Sequence, residues 1–175
     1  MDMGELQLED SKEFVGEYKM GFFGSAEHIS VKISAEKVSG RGYREMENGK
    51  YEIAEFRYDF SQVTKITGSQ FDKKPCSMII FNENDRIFFP GLNVLTPTLE
   101  GIFNQFNDLL YEKEAEDIKR LILGGAFTKE GRTQLRDEME VFRKTVARLK
   151  DLKKQGFINP MEYSELRARL MDFYA

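Results

Sequence analysis

Few residues in this 175-residue chain could do covalent chemistry. There is one histidine, His28, and one cysteine, Cys76. A single imidazole cannot build a multi-histidine metal site, and a histidine-based triad has only His28 to draw on. Next to Ile29, it reads more simply as a strand or turn residue than as a base. Cys76 has only Lys73 and Lys74 nearby to favour a thiolate, so it reads as a small strand residue. No Gly-x-Gly-x-x-Gly or Gly-x-x-x-x-Gly-Lys-Ser/Thr run occurs, and Leu123-Gly124-Gly125 reads as a helix terminus, not a phosphate cradle. Carboxylates are plentiful, but they alternate with lysines, as in Glu112-Lys113-Glu114, the pattern of a solvated face. No constellation supports a reaction, a metal or a cofactor, so the expectation is a protein that is not an enzyme.

Binding chemistry has more candidates. Between Val141 and Lys154 the cations Arg143, Lys144, Arg148, Lys150, Lys153 and Lys154 face a single acid, Asp151. Such a helix could lie against anionic lipid or nucleic acid, or against the acidic front of this chain. The plainest reading is a solvated helix face, ahead of a domain contact, with lipid or nucleic acid last. The net charge of −4 argues against a dedicated nucleic-acid binder. Phe22-Phe23-Gly24 could form a hairpin tip that touches a membrane or partner, although a pair split between core and edge is the simpler expectation.

These residues need a frame, and hydrophobic periodicity supplies one. The first ~95 residues hold seven short apolar segments: Phe14 to Phe23, His28 to Ser34, Lys37 to Tyr43, Tyr51 to Tyr58, Val63 to Thr67, Ser77 to Phe81, and Arg86 to Phe89. Asn48-Gly49 is a hairpin signal, and Asn82-Glu83-Asn84-Asp85 is a polar turn. Gly40 and Gly42 inside a strand predict a bulge or bend. Thr96-Pro97 then opens a helix, in which Leu99, Ile102, Phe103, Phe106, Leu109 and Leu110 recur at three and four residues. A second helical stretch, Glu112 to Leu123, continues it or joins it at a kink.

Beyond it, Thr128 is expected to cap a helix running to about Gln155. Leu135, Met139, Phe142, Val146 and Leu149 form its seam, which is too short for a confident coiled coil. The tail is then written as a helical hairpin. Gly156 ends one helix, Asn159 and Glu162 make a capping box, Pro160 occupies the first turn, and Ile158 and Tyr163 form a hydrophobic staple. A shift of 31 residues lays Ile118 on Leu149, Leu121 on Leu152, Gly125 on Gly156, Phe127 on Ile158, Leu135 on Leu166, Arg136 on Arg167 and Met139 on Leu170. The same hairpin is therefore expected twice. The predicted fold class is α+β: a bent antiparallel sheet or half-barrel closed by one C-terminal helix over residues 1–112, then a helical tail over 113–175.

The tail resembles the short C-terminal domain known as SHOCT, over residues 147–173. Leu149, Leu152, Gly156, Phe157, Ile158, Glu162, Tyr163, Leu166 and Leu170 match its pattern, with Asn159-Pro160 where Thr-Glu is commoner. The front is similar to bacterial pleckstrin-homology-like domains, including the GRAM type. That similarity rests on Tyr58-Asp59-Phe60-Ser61-Gln62-Val63-Thr64-Lys65-Ile66, on the hairpin from Met78–Phe81 to Ile87–Phe89, and on the helix carrying Phe103, Phe106 and Leu110. The first resemblance implies an oligomerisation or interaction module, the second a seven-stranded bent sheet capped by a helix. Lipid-binding members of the second family carry basic residues around the first hairpin. Here Lys19, His28 and Lys32 sit amid Glu13, Glu17 and Glu27, so lipid binding does not carry over.

No run approaches the ~18 apolar residues of a membrane span, the acidic start lacks a leader's apolar core, and neither a myristoyl nor a prenyl signal is present. A cytoplasmic chain is expected, peripheral to a membrane at most. The leading expectation is a non-enzymatic scaffold that forms a homo-oligomer or holds a protein partner through Leu149, Leu152, Phe157, Ile158, Tyr163, Leu166 and Leu170. The alternative is a peripheral module that binds anionic lipid through the basic helix.

Overall fold

Alternation of buried and exposed residues turns the first half of the chain into strands. The computed structural model describes residues 5–22, 24–124 and 138–173. Among the described residues, seven strands occur in order: β1 (Ser11–Lys19), β2 (Ala26–Ser34), β3 (Lys37–Glu45), β4 (Tyr51–Asp59), β5 (Val63–Phe71), β6 (Lys74–Phe81) and β7 (Arg86–Phe89). Three helices follow among the described residues: α1 (Thr96–Leu123), α2 (Glu138–Gln155) and α3 (Pro160–Phe173). The fold is α+β, a curled antiparallel half-barrel followed by helices.

The strand order is β1-β2-β3-β7-β6-β5, with β4 also paired to β3, and every pairing is antiparallel. β3 is the pivot. One edge pairs with β4 along its whole length; the other serves β2 through Val38 to Arg41 and then β7 at Tyr43 and Arg44. The changeover lies at Gly40 and Gly42, where a side chain would have no room: a Cβ would stand 2.1 Å from the Ser30 carbonyl oxygen at Gly40 and 2.6 Å from that of Phe88 at Gly42. The expected bend is there, and it curls the sheet.

Inside the curl, Ile29, Val31, Ile33, Ile79, Phe81, Ile87 and Phe89 are fully buried, together with Leu99, Ile102 and Phe106 of α1. Phe103 stacks on Phe60 at 5.0 Å, so the first part of α1 caps the sheet. A second aromatic group joins Tyr18, Tyr43, Tyr51, Phe71 and Phe88 through ring contacts of 4.7–6.0 Å.

Two details differ from the sequence expectation. β1 stops at Lys19, short of Phe23, because Gly21 turns the backbone with φ of 73°. β5 and β6 are longer than their apolar runs, since Asp72 and Lys73, at φ of 52° and 62°, make a two-residue turn that carries the ladder to Phe71 and Lys74. Of the two alternatives for the stretch from Glu112 to Leu123, continuation is the one found: it extends α1 as one helix of 28 residues.

The chain divides into two compact units between Asn107 and Asp108, within α1. The second unit contains the distal part of α1 with α2 and α3. Its core is Ala115, Ile122, Leu149, Leu152, Ile158, Leu166 and Leu170, flanked by Tyr111, Ile118, Val146, Phe157 and Tyr163. The first of the two expected hairpins, with Gly125, Phe127, Thr128, Leu135 and Arg136, lies outside the described residues, as do the side chains of Met139 and Phe142.

Candidate functional site

The helical tail is positioned by its turn. Gly156 adopts φ of 88°, which lets the Phe157 and Ile158 amides return to the Leu152 carbonyl at 3.0 and 3.4 Å. Asn159 then caps α3: its side-chain oxygen accepts the Glu162 amide at 2.8 Å, and Glu162 accepts the Asn159 amide at 3.4 Å. Two of the backbone donors at that helix start are thereby satisfied.

This turn aims the apolar faces of α2 and α3 at each other and at α1. Leu149, Leu152, Ile158, Leu166 and Leu170 are all at most 4% exposed, so the residues expected to make the helical contact make it within the chain. Phe157 and Tyr163 are half-buried at the margin. Phe157 stacks on Tyr111 with centroids 5.1 Å apart and planes at 13°. The sequence reading missed the α1 side of this contact: Tyr111, Ala115, Ile118 and Ile122 step by four, three and four residues, the spacing of a helical seam. That signal is present in the sequence but is masked by the charged residues between them.

Charge closes the margins. Arg148 donates in bidentate fashion to Glu114 of α1 and, at 3.0 Å, to Asp151. The Glu114 hydrogen bonds raise the guanidinium pKa further, so Arg148 stays protonated. Lys119 pairs with Glu162, and that hydrogen bond, with the Asn159 amide second, holds the Glu162 carboxyl below the usual range. Lys153 sits 4.5 Å above the Tyr163 ring.

The six expected lipid or anion contacts therefore separate. Arg148 and Lys153 make contacts inside the helical unit, and Arg143, Lys144, Lys150, Lys153 and Lys154 are all exposed. Arg143, Ala147, Lys150 and Lys154 fall at i, i+4, i+7 and i+11, one stripe of α2 about 16 Å long. Leu149 and Leu152 point to the opposite side.

In the front unit, burial and hydrogen bonding set the state of several side chains. Cys76 is half-buried, and burial pushes its thiol up to about 11, away from reactivity at neutral pH. Tyr18 donates to Asp72 at 2.9 Å; burial first, then this bond, pushes its hydroxyl up to about 12. Tyr58 donates to Asp85, which also accepts Arg44 Nε at 3.1 Å, tying β3 and β4 to the turn before β7. His28 is exposed on β2, opposite Glu17. Phe22 is 88% exposed, and its neighbour Phe23 lies outside the described residues. Among the described residues, no three His, Cys, Asp or Glu side chains gather as a metal site, and no helix is long and apolar enough to cross a membrane.

In comparisons with known proteins, no family model and no curated sequence matches the chain.

Proposed function

We propose that this chain is a non-enzymatic scaffold: a pleckstrin-homology-like body carrying a SHOCT-like helical tail that assembles copies of the chain or holds a protein partner in the cytoplasm. The observation that supports this most is the tail's closed apolar seam. A hairpin of two short helices cannot bury its inner face alone. Here Leu149, Leu152, Ile158, Leu166 and Leu170 find Ala115 and Ile122 of α1. The surface that α1 offers to its own hairpin is the same surface it would offer to the hairpin of a second copy. Exchange of hairpins then assembles copies with no new contact chemistry.

The test is copurification of two differently tagged full-length copies mixed before native purification. Wild-type copies should copurify, and Leu152→Asp, which places a charge at a fully buried position, should abolish it. Failure of wild-type copies to copurify at any attainable concentration counts against self-assembly.

A second reading draws on the exposed stripe Arg143–Lys150–Lys154. It is electrostatic adsorption to an anionic membrane, worth about 1 kcal/mol per basic residue near the surface. With the apolar face of α2 closed in the core, no insertion would accompany it, so binding should vanish with added salt. Flotation with anionic liposomes at low and high salt decides; absence of salt-sensitive flotation removes this reading.

A further inference from the structure

The register of β2, β3 and β4 sets two neighbouring rows of side chains across one face. One row is Ser30, Arg41 and Glu55; the other is Lys32, Ser39 and Arg57. The first is internally neutralised: Arg41 reaches Glu27 at 2.8 Å and Glu55 at 3.7 Å. The second puts a hydroxyl between two cations, and continues on β1 to Glu13, opposite Lys32. Lys32, Lys37 and Arg57 enter no ion pair among the described residues. The nearest carboxylates in register, Glu13 opposite Lys32 on β1 and Asp59 opposite Lys37 on β4, do not reach ion-pair distance of them.

These residues line a groove of about 670 Å³ that also holds Lys37, Ser30 and two carboxylates, Glu36 and Glu55, the latter within reach of Arg41. Neighbouring strands stand ~4.8 Å apart, so Lys32 and Arg57 flank Ser39 at ~10 Å between backbones. Side chains of that length converge easily on one small anion seated over the hydroxyl.

We propose that Lys32, Ser39 and Arg57 bind the phosphate of a phosphomonoester. Such a group carries close to two negative charges at neutral pH and three acceptor oxygens. Arg57 can supply a forked pair of donors, Lys32 a point charge and Ser39 a hydroxyl, with Lys37 close by. The site belongs to the front unit and stands independently of what the helical tail assembles.

The probe is inorganic phosphate, titrated at constant ionic strength against chloride into the full-length protein and followed by amide chemical shifts. Saturable shifts confined to residues around Lys32, Ser39 and Arg57 are expected. The double change Lys32→Gln with Arg57→Gln should weaken binding by about tenfold or more, and Lys65→Gln on β5 should leave it unchanged. Ser39→Ala, which removes only a hydroxyl, gives a milder second variant and should weaken binding severalfold. Linear shifts that chloride reproduces, or equal affinity in every variant, would overturn the proposal. Vesicles of phosphatidylcholine with and without phosphatidic acid separate the sources. Sedimentation with the phosphatidic acid vesicles that the double variant loses assigns a lipid headgroup. Saturable phosphate binding without sedimentation assigns a soluble phosphomonoester.

Discussion

Leu152→Ala is the sharpest perturbation of the helical unit. Leu152 is fully buried, and its carbonyl also receives the two amides of the hairpin turn. Truncation removes the apolar contact and leaves a cavity, at a cost of about 2–5 kcal/mol. A unit the size of Asp108–Ala175 is stable by roughly 3–10 kcal/mol, so the change removes a large share of that. Native-state hydrogen exchange reads it directly. Amides of α2 and α3 should exchange about 30- to 4,000-fold faster, the kinetic image of the same free energy. Amides at the centre of β2 and β6 report on the front unit and should keep their protection. Unchanged exchange in α2 and α3 would refute the closed seam, and equal loss in both units would refute their separate cooperativity.

Other outcomes follow from local geometry. Gly156→Ala forces a side chain into a left-handed conformation with open space around it, so the loss should be the backbone cost alone, about 1–2 kcal/mol, read by thermal unfolding of the tail. The Glu162 carboxyl pKa is depressed by Lys119, so its contribution is complete above the unfolded pKa and fades as pH falls through the lower folded one; acid titration of α3 helicity should show this and Glu162→Gln should flatten it. Tyr18 behaves oppositely: its folded pKa is raised, so its contribution is complete below about 10 and is lost as pH rises toward about 12. Alkaline unfolding followed by tyrosinate absorbance should shift upward in Tyr18→Phe, and an unshifted transition would assign it to another tyrosine.

Much of the frame was legible because it is written in local signals. Gly156, Asn159 and Glu162 lie within seven residues and specify one turn whatever surrounds them. The stripe Leu99, Ile102, Phe103, Phe106 has the period of a helix, and Gly40 with Gly42 marks the bend. What stayed hidden depends on distant partners. Asp72-Lys73 makes a tight hairpin without glycine, with Tyr18, 54 residues away, bonded to Asp72. The choice between a continuous α1 and a kink turned on Tyr111 and Ala115, which keep the seam across Glu112-Lys113-Glu114. Arg148 looked like one more surface cation because Glu114 lies 34 residues away. The row Lys32–Ser39–Arg57 exists only through strand register, which shifts every side chain to the other face if it slips by one.

The most direct test of the scaffold is the mass of the full chain in solution by light scattering across a wide concentration range. The account predicts a mass that rises above 20.4 kDa to a whole-number multiple and returns to the monomer value in Leu152→Asp. A wild-type mass that stays at the monomer value throughout, with the tail folded and no protein partner retained, would contradict it.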